Sequence, residues 1–217
     1  MRMKTEELFA YVDHTALKAY TTWQEIEKLC KEAVHYKTAS VCIPSCYVKS
    51  AHEAFPELNI CTVVGFPLGY TNTEGKAAET KQALSDGATE IDMVINICDV
   101  KNGDYDKVEK EIALLKEIVG EKVLKVIIET CYLTEQEKIA MCKAVTNAKA
   151  DYIKTSTGFG TGGATLEDIR LMREHIGKDV KIKAAGGIRS REEMEAYIDA
   201  GCSRIGTSSA ITMLKED

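Results

Sequence analysis

Three stretches of the chain carry side chains that could do covalent chemistry together. They are Asp151–Tyr152–Ile153–Lys154–Thr155–Ser156–Thr157–Gly158, Lys181–Ile182–Lys183–Ala184–Ala185–Gly186–Gly187 and Glu90–Ile91–Asp92–Met93–Val94–Ile95–Asn96. Side chains on a strand alternate between its faces, so Tyr152, Lys154 and Ser156 share one face while Ile153 and Thr155 share the other. Lys183 stands at the matching height one strand along. Lysine is seldom buried without a partner or a task; the simpler reading is a surface lysine reaching for water. Neighbouring strands lie ~4.8 Å apart, so two ammonium groups there would each disfavour the other's charge. An amine nucleophile needs that effect. At an ordinary pKa of ~10.4 only about 1 lysine in 2,500 is neutral at pH 7, whereas a pKa of ~7–8 frees roughly 10–50%.

Asp92 sits inside an otherwise apolar strand. It is either an ion partner for Lys125 or Lys154, or a group that moves protons to and from substrate oxygen and carbon. Asp13 and Thr15, either side of His14, follow the first strand and could orient the lysines or a water. Lys125, Ile127 and Glu129 share a face, which gives two opposite charges as pocket supports.

The other end of the site reads as an anion cradle. Glycine-rich turns follow strands six, seven and eight: Gly158 to Gly163, Gly186–Gly187 and Gly206–Thr207–Ser208–Ser209. Backbone N–H groups near helix starts hold phosphate without a charged side chain, and barrels often use their last strand-end loops this way. The simpler role of such glycines is to relieve tight turns. Candidate phosphate contacts are Gly158, Gly186, Gly187, Gly206 and Ser208. Gly158, Gly160 and Gly163 also match the spacing of a dinucleotide fingerprint. That reading wants an acidic residue ending the next strand, where this chain has Lys183.

These groups must be positioned by a repeating strand–helix pattern. Strands are expected at residues 11–13, 39–43, 60–64, 90–95, 124–129, 152–155, 181–184 and 204–207. Helices are expected at 4–10, 22–35, 46–55, 71–86, 105–119 and 134–148, with further helices after Thr165 and Ser190 and a short one at the end. Thr22 with Glu25, Thr71 with Glu74, Thr134 with Glu137 and Ser190 with Glu193 have capping-box spacing, and Thr165 with Asp168 is a related start signal. Eight strands, each followed by a helix and with no linker between them, favour a (β/α)8 TIM barrel with a short extra N-terminal helix. An open doubly wound sheet is the alternative. Residues 1–217 are read as one catalytic domain.

Composition narrows the classes. With 34 acidic and 28 basic residues the formal charge is −6, which leaves no footprint for general nucleic-acid binding. No apolar run reaches the ~18 residues of a membrane span, and the start lacks the apolar core of a signal peptide, so a cytoplasmic protein is expected. The eight cysteines are scattered over a long chain and read as buried thiols. Cys42 and Cys46 form one pair with no second pair or nearby histidine to complete a zinc set, so no metal and no cofactor are expected.

The chain resembles the deoxyribose-phosphate aldolase family. The resemblance runs over Tyr11–Val12–Asp13–His14–Thr15, Thr62–Val63–Val64–Gly65–Phe66–Pro67–Leu68–Gly69, Glu90 to Asn96, Lys125–Val126–Ile127–Ile128–Glu129–Thr130, Lys154 to Gly158, Ala185–Gly186–Gly187–Ile188–Arg189 and Arg204–Ile205–Gly206–Thr207–Ser208. It implies an eight-stranded barrel. It also implies reversible class I cleavage of 2-deoxyribose 5-phosphate to acetaldehyde and glyceraldehyde 3-phosphate, in deoxyribonucleoside catabolism. Carried onto this chain, the Schiff-base lysine is Lys154, its assistant is Lys183 and the proton carrier is Asp92. Asp13, Thr15, Lys125 and Thr157 support them. The partners are then a small phosphorylated sugar and further copies of the chain, as a dimer. Two departures stand out. The family's Asn-Pro after the second strand is Pro44–Ser45 here, and the chain ends Met213–Leu214–Lys215–Glu216–Asp217 without the tyrosine found in some members. Two other readings stay open: an isomerase-like barrel using Asp92 and Lys183 as acid and base without a covalent adduct, and a non-enzymatic barrel that binds a phosphorylated metabolite or only assembles with itself.

Overall fold

Runs such as Val41–Cys42–Ile43 and Ile60–Cys61–Thr62–Val63–Val64 carry no charge on either face, as strands covered on both sides require. In the computed structural model, which describes residues 3–215, these runs are inner strands of a closed barrel. Its staves are β1 (Val12–Thr15), β2 (Ser40–Ile43), β3 (Ile60–Val64), β4 (Glu90–Val94), β5 (Val123–Ile127), β6 (Tyr152–Lys154), β7 (Lys181–Ala185) and β8 (Arg204–Thr207). All neighbours are parallel and follow chain order, and β8 returns to β1 with Val12 opposite Ile205. That pairing removes the open-sheet alternative and bears out the (β/α)8 barrel.

The helices are α1 (Thr5–Phe9), α2 (Trp23–Tyr36), α3 (Val48–Ala54), α4 (Thr73–Ser85), α5 (Ile97–Lys101), α6 (Tyr105–Val119), α7 (Glu135–Asn147), α8 (Leu166–His175), α9 (Arg191–Asp199) and α10 (Ala210–Lys215). α1 is the extra N-terminal helix. The capping boxes at Thr22, Thr134 and Ser190 form as expected, and Thr165 accepts from Asp168 N. The main core lies between the strands' outer faces and the helices, with Ile26, Ile91, Ile112, Val126 and Ile153 fully buried. A smaller apolar group, Cys42, Cys61 and Val63, lies apart from it, with Leu17 and Phe66 packed on it.

Several expectations are corrected. α4 is capped by Asn72, whose Oδ1 accepts from Gly75 N at 2.9 Å, and not by Thr71; an asparagine one residue later caps as well as threonine and wins the start. α5 was not foreseen. It is one short turn, capped by Asn96, and too brief to show a helical period. β5 stops at Ile127, because Glu129 takes a left-handed backbone (φ +50) that ends the strand and opens a 3₁₀ turn at Thr130–Tyr132. Cys46 and Cys98 are exposed and Cys131 is half-buried, unlike the other five thiols. Among the described residues, no helix is long and apolar enough to cross a membrane. The expectations that fall on residues 1–2 and 216–217 lie outside the described residues.

Candidate active site

Barrel interiors are ordinarily filled by branched apolar side chains. This one is filled by charge. Parallel register sets Lys154 opposite Lys183, Lys183 opposite Arg204, Asp92 opposite Lys125, and Asp13 opposite Ser40 and Gly206. Lys154 and Lys183 therefore stand at matching heights, as the sequence implied. Their ammonium groups meet on one atom: Asp92 Oδ2 accepts from Lys154 Nζ and from Lys183 Nζ, each at 2.7 Å. Asp92 Oδ1 accepts from Lys125 Nζ at 2.9 Å and from the Cys61 thiol at 3.1 Å.

Beneath this layer the network continues. Lys183 also pairs with Asp13. Lys125 pairs with Glu90 at 2.5 Å, and Arg204 spans Asp13 (2.5 Å) and Glu90 (3.1 Å). Ser40 Oγ donates to Asp13 Oδ1 at 2.7 Å. Asp13, Asp92, Lys125 and Lys183 are fully buried, and Lys154 is 3% exposed. With every group ionised, Lys125, Lys154, Lys183 and Arg204 face Asp13, Glu90 and Asp92, so the buried cluster carries one excess positive charge.

The electrostatics are asymmetric. Burial opposes charge on Lys183, but Asp13 and Asp92 outweigh it and hold this ammonium above the usual lysine range. Lys125 is held up likewise, against burial, chiefly by Asp92. Burial also opposes charge on Asp92 and Asp13; three ammoniums hold Asp92, and Lys183, Lys125 and Arg204 hold Asp13, well below the usual carboxylate range. The expectation that the two lysines discharge each other is therefore corrected for Lys183. It remains a fixed cation, because two carboxylates flank it.

Lys154 is the cluster's outlet. It lines a cavity of about 660 Å³ at the carboxyl ends of the strands, together with Thr15, Thr157, Gly158, Gly186, Gly187, Gly206 and Ser208. Asp13, Asp92, Lys125 and Lys183 lie under that surface. The candidate anion loops thus share one cavity with the candidate nucleophile. The loops after β6 and β7 touch backbone to backbone: Ala164 N donates to Gly186 O at 3.1 Å, and a Cβ on Gly163 would lie 2.2 Å from that oxygen. Gly187 has φ +78 and nothing within 4 Å of a built Cβ. Gly206 has a further task, since a Cβ there would press on Lys183 Cε at 3.1 Å. Phe66 and Phe159 meet edge to face at 5.3 Å.

The supporting residues divide. Thr15 donates to its neighbour's backbone, Asp13 O, at 2.7 Å. Thr157 donates through its hydroxyl to Glu129 and accepts from Phe159 N at 3.0 Å, which ties the β6 loop to the end of β5. Burial raises the Glu129 carboxyl, and the Thr157 contacts lower it in part. His14 points away from the cluster and pairs with Glu32 at 2.9 Å. Sequence reading missed Arg204, Glu90 and Cys61. The alternation of Glu90 with Asp92 was a usable signal, because both must face the interior if one does. Cys42, Cys61 and Asp92, and Asp13, Cys61 and Glu90, have metal-donor spacing. The ammoniums of Lys125 and Lys183 already supply those donors with the positive charge that an ion would bring.

Comparison with known proteins agrees with this geometry. The model of the DeoC/LacD family aldolases matches residues 8–214. A deoxyribose-phosphate aldolase of Clostridium botulinum (strain Alaska E43 / Type E3) is 66% identical over 98% of this chain and 97% of its own. One of Clostridioides difficile (strain 630) is 60% identical over 95% and 94%. Among solved structures, the aldolase QR15 superposes with a TM-score of 0.93 at 38% identity, over 97% of this chain and 95% of its own. The tetrameric deoxyribose phosphate aldolase of Aeropyrum pernix superposes with a TM-score of 0.89 at 29% identity, over 99% and 93%. With its barrel, its buried lysine–carboxylate cluster and these relatives, the chain belongs to the DeoC/LacD family of aldolases.

Proposed function

We propose that this aldolase reversibly cleaves 2-deoxyribose 5-phosphate to acetaldehyde and glyceraldehyde 3-phosphate through a Schiff base on Lys154. The observation that carries this reading is the shared oxygen of Asp92. It joins a lysine at the cavity wall to a second lysine that stays charged beneath it. Of the two, only the outer amine reaches substrate. Lys154 attacks as the neutral amine, and the Lys183 ammonium keeps Asp92 partnered when it does.

The steps follow from that layout. Neutral Lys154 adds to the substrate aldehyde and loses water to give an iminium. The iminium draws the electrons of the bond between the second and third carbons, and the proton of the third-carbon hydroxyl passes through water to Asp92. In the resting cluster Asp92 is a poor base, because four donors hold it. As the bond breaks, the iminium's positive charge is discharged into the neutral enamine, so Asp92 faces one cation fewer when the proton arrives and becomes more basic. Glyceraldehyde 3-phosphate leaves, the enamine is protonated at the second carbon, and hydrolysis frees acetaldehyde. Gly158, Gly186, Gly187, Gly206 and Ser208 hold the phosphate, and Arg189 at the same cavity adds a positive charge.

The full 217 residues act as one catalytic domain in this reading, as a cytoplasmic homo-oligomer, a dimer, serving deoxyribonucleoside breakdown. Exposed Tyr20, Leu68 and Tyr70 offer apolar surface for association. Light scattering after gel filtration measures the copy number. The direct test of activity feeds the purified chain 2-deoxyribose 5-phosphate with a metal chelator present and follows both aldehydes. Stoichiometric release supports the assignment. Isomerised sugar without cleavage would replace it with the non-covalent alternative.

A further inference from the structure

Two thiols share the barrel interior with the charged cluster, and the reaction above needs neither as a nucleophile. Cys42 on β2 and Cys61 on β3 are directly opposed in register, and both are fully buried. Their sulfurs and a carboxylate oxygen of Asp92 lie within 4.8 Å of one another. Opposed residues on adjacent strands have Cα atoms ~4.8 Å apart, inside the range a disulfide spans, and their side chains leave the same face. Buried cysteine often serves only as a small apolar filler. Cys61 is not in that situation, since it donates to Asp92 Oδ1 at 3.1 Å and accepts from Lys125 Nζ at 3.3 Å.

We propose that Cys42 and Cys61 are a covalent modification site: a hydroperoxide oxidises them to a disulfide that takes the Cys61 thiol from Asp92 and stops turnover. Cys42 reacts first. The contact with Cys61 lowers the Cys42 thiol, against burial, and Lys183 adds to that lowering; burial, then the same contact, raises Cys61. The Cys42 thiolate attacks the peroxide; the S–O bond forms, the O–O bond breaks and hydroxide leaves to become water. Cys61 sulfur then attacks the sulfenic sulfur; the S–S bond forms, the S–O bond breaks, and a second water leaves with the thiol's proton. Two thiols and one hydrogen peroxide give one disulfide and two waters. Asp92 then loses one of its four donors and Lys125 loses an acceptor. Hydrogen peroxide is close to water in size and reaches the pair past Leu17, which lines the cavity and, with Phe66, packs on the thiols' apolar group. The cross-link stands on the thiol geometry alone; its effect on turnover rests on the Asp92 reading above.

The test uses the full chain with the exposed thiols removed (Cys46→Ser and Cys98→Ser). Reduced protein is treated with graded hydrogen peroxide, denatured, alkylated and digested without reductant. The expected result is a peptide joining Cys42 to Cys61, lighter by two hydrogens. Its yield should track a loss of activity of at least tenfold, and dithiothreitol should reverse both. In the Cys42→Ala variant the same dose should leave that variant's own activity unreduced; where that variant does not fold, the peptide map of the parent protein decides. Both thiols remaining alkylatable while activity falls overturns the proposal. So does Cys42 recovered as an unlinked sulfinic acid, or a full cross-link with activity intact. Borohydride trapping of the reduced protein with acetaldehyde separates the two readings. If trapping fails while the cross-link forms, the lysine reading falls and the modification site stands.

Discussion

Replacing Asp92 with asparagine separates bond cleavage from formation of the covalent adduct. The carboxylate is fully buried and accepts four contacts, two at 2.7 Å from Lys154 and Lys183, one at 2.9 Å from Lys125 and one at 3.1 Å from Cys61. A carboxylate has about four acceptor sites, whereas an amide oxygen has two and its NH₂ donates. In the asparagine form two donors lose their acceptor, and the buried cluster's excess positive charge rises by one. Removing one partner from a buried ion cluster costs ~3–5 kcal/mol. For a chain of this size that lowers Tm by ~6–20 °C, and a folded protein at 25 °C remains the expectation. The loss of proton transfer is a further effect of ~10²–10⁴ in kcat, or ~3–5 kcal/mol of transition-state stabilisation. Two rates should be measured side by side: cleavage of 2-deoxyribose 5-phosphate, and borohydride trapping of acetaldehyde. Trapping needs Lys154 but not the proton of the third-carbon hydroxyl, so it should fall by less than tenfold while kcat falls by ~10²–10⁴. Undiminished kcat would remove Asp92 from the chemistry. An equal fall in both rates would reduce it to a holder of Lys154.

Three other outcomes are expected. Lys183→Leu should slow trapping, because Lys154 is then the sole lysine on Asp92 Oδ2 and Asp13 loses a buried partner; undiminished trapping and turnover would take Lys183 out of the site. Substrate without its phosphate should lose rate as well as affinity, since remote binding orients the reacting end, and Gly187→Ala, at φ +78, should raise KM for the phosphorylated substrate with little effect on plain 2-deoxyribose; equal efficiency with both sugars would displace the anion site from these loops. Asp13 and Asp92 are held below the usual carboxylate range when folded, so their stabilisation is present above ~3.9, the unfolded value, and is lost as pH falls towards their folded values; urea midpoints of the parent should drop on acidification below about pH 5, and Asp13→Asn should flatten that drop.

Much of this was legible in the sequence because the relevant signals are local. Strand alternation alone set Lys154 level with Lys183, and four cap spacings placed helix starts correctly at Thr22, Thr134, Thr165 and Ser190. Glycines after strands six to eight marked the loops that share the cavity with Lys154. What the sequence did not disclose depends on closure. Arg204 begins the last strand and looks like an ordinary surface arginine until β8 meets β1 and turns it onto Asp13 and Glu90. Cys61 reads as an apolar filler until β4 and β5 bring Asp92 and Lys125 to it. The charge state of Lys183 was misjudged for the same reason. Two lysines side by side suggest mutual discharge, and only the closed barrel adds Asp13 as a second carboxylate beside Lys183. The left-handed turn at Glu129 was hidden because a non-glycine residue there is held by Thr157, a contact across strands.

The most direct test of the covalent reading is the site of the adduct. The chain is incubated with 2-deoxyribose 5-phosphate or acetaldehyde, reduced with borohydride and digested, and the modified peptide is sequenced by mass. The reduced adduct is expected on Lys154, the only lysine of the buried cluster that lines the cavity, with Lys125 and Lys183 unmodified. An adduct on Lys183 with Lys154 clean would reverse the assignment, and no adduct in a protein shown to be cleaving substrate would contradict the Schiff-base mechanism itself.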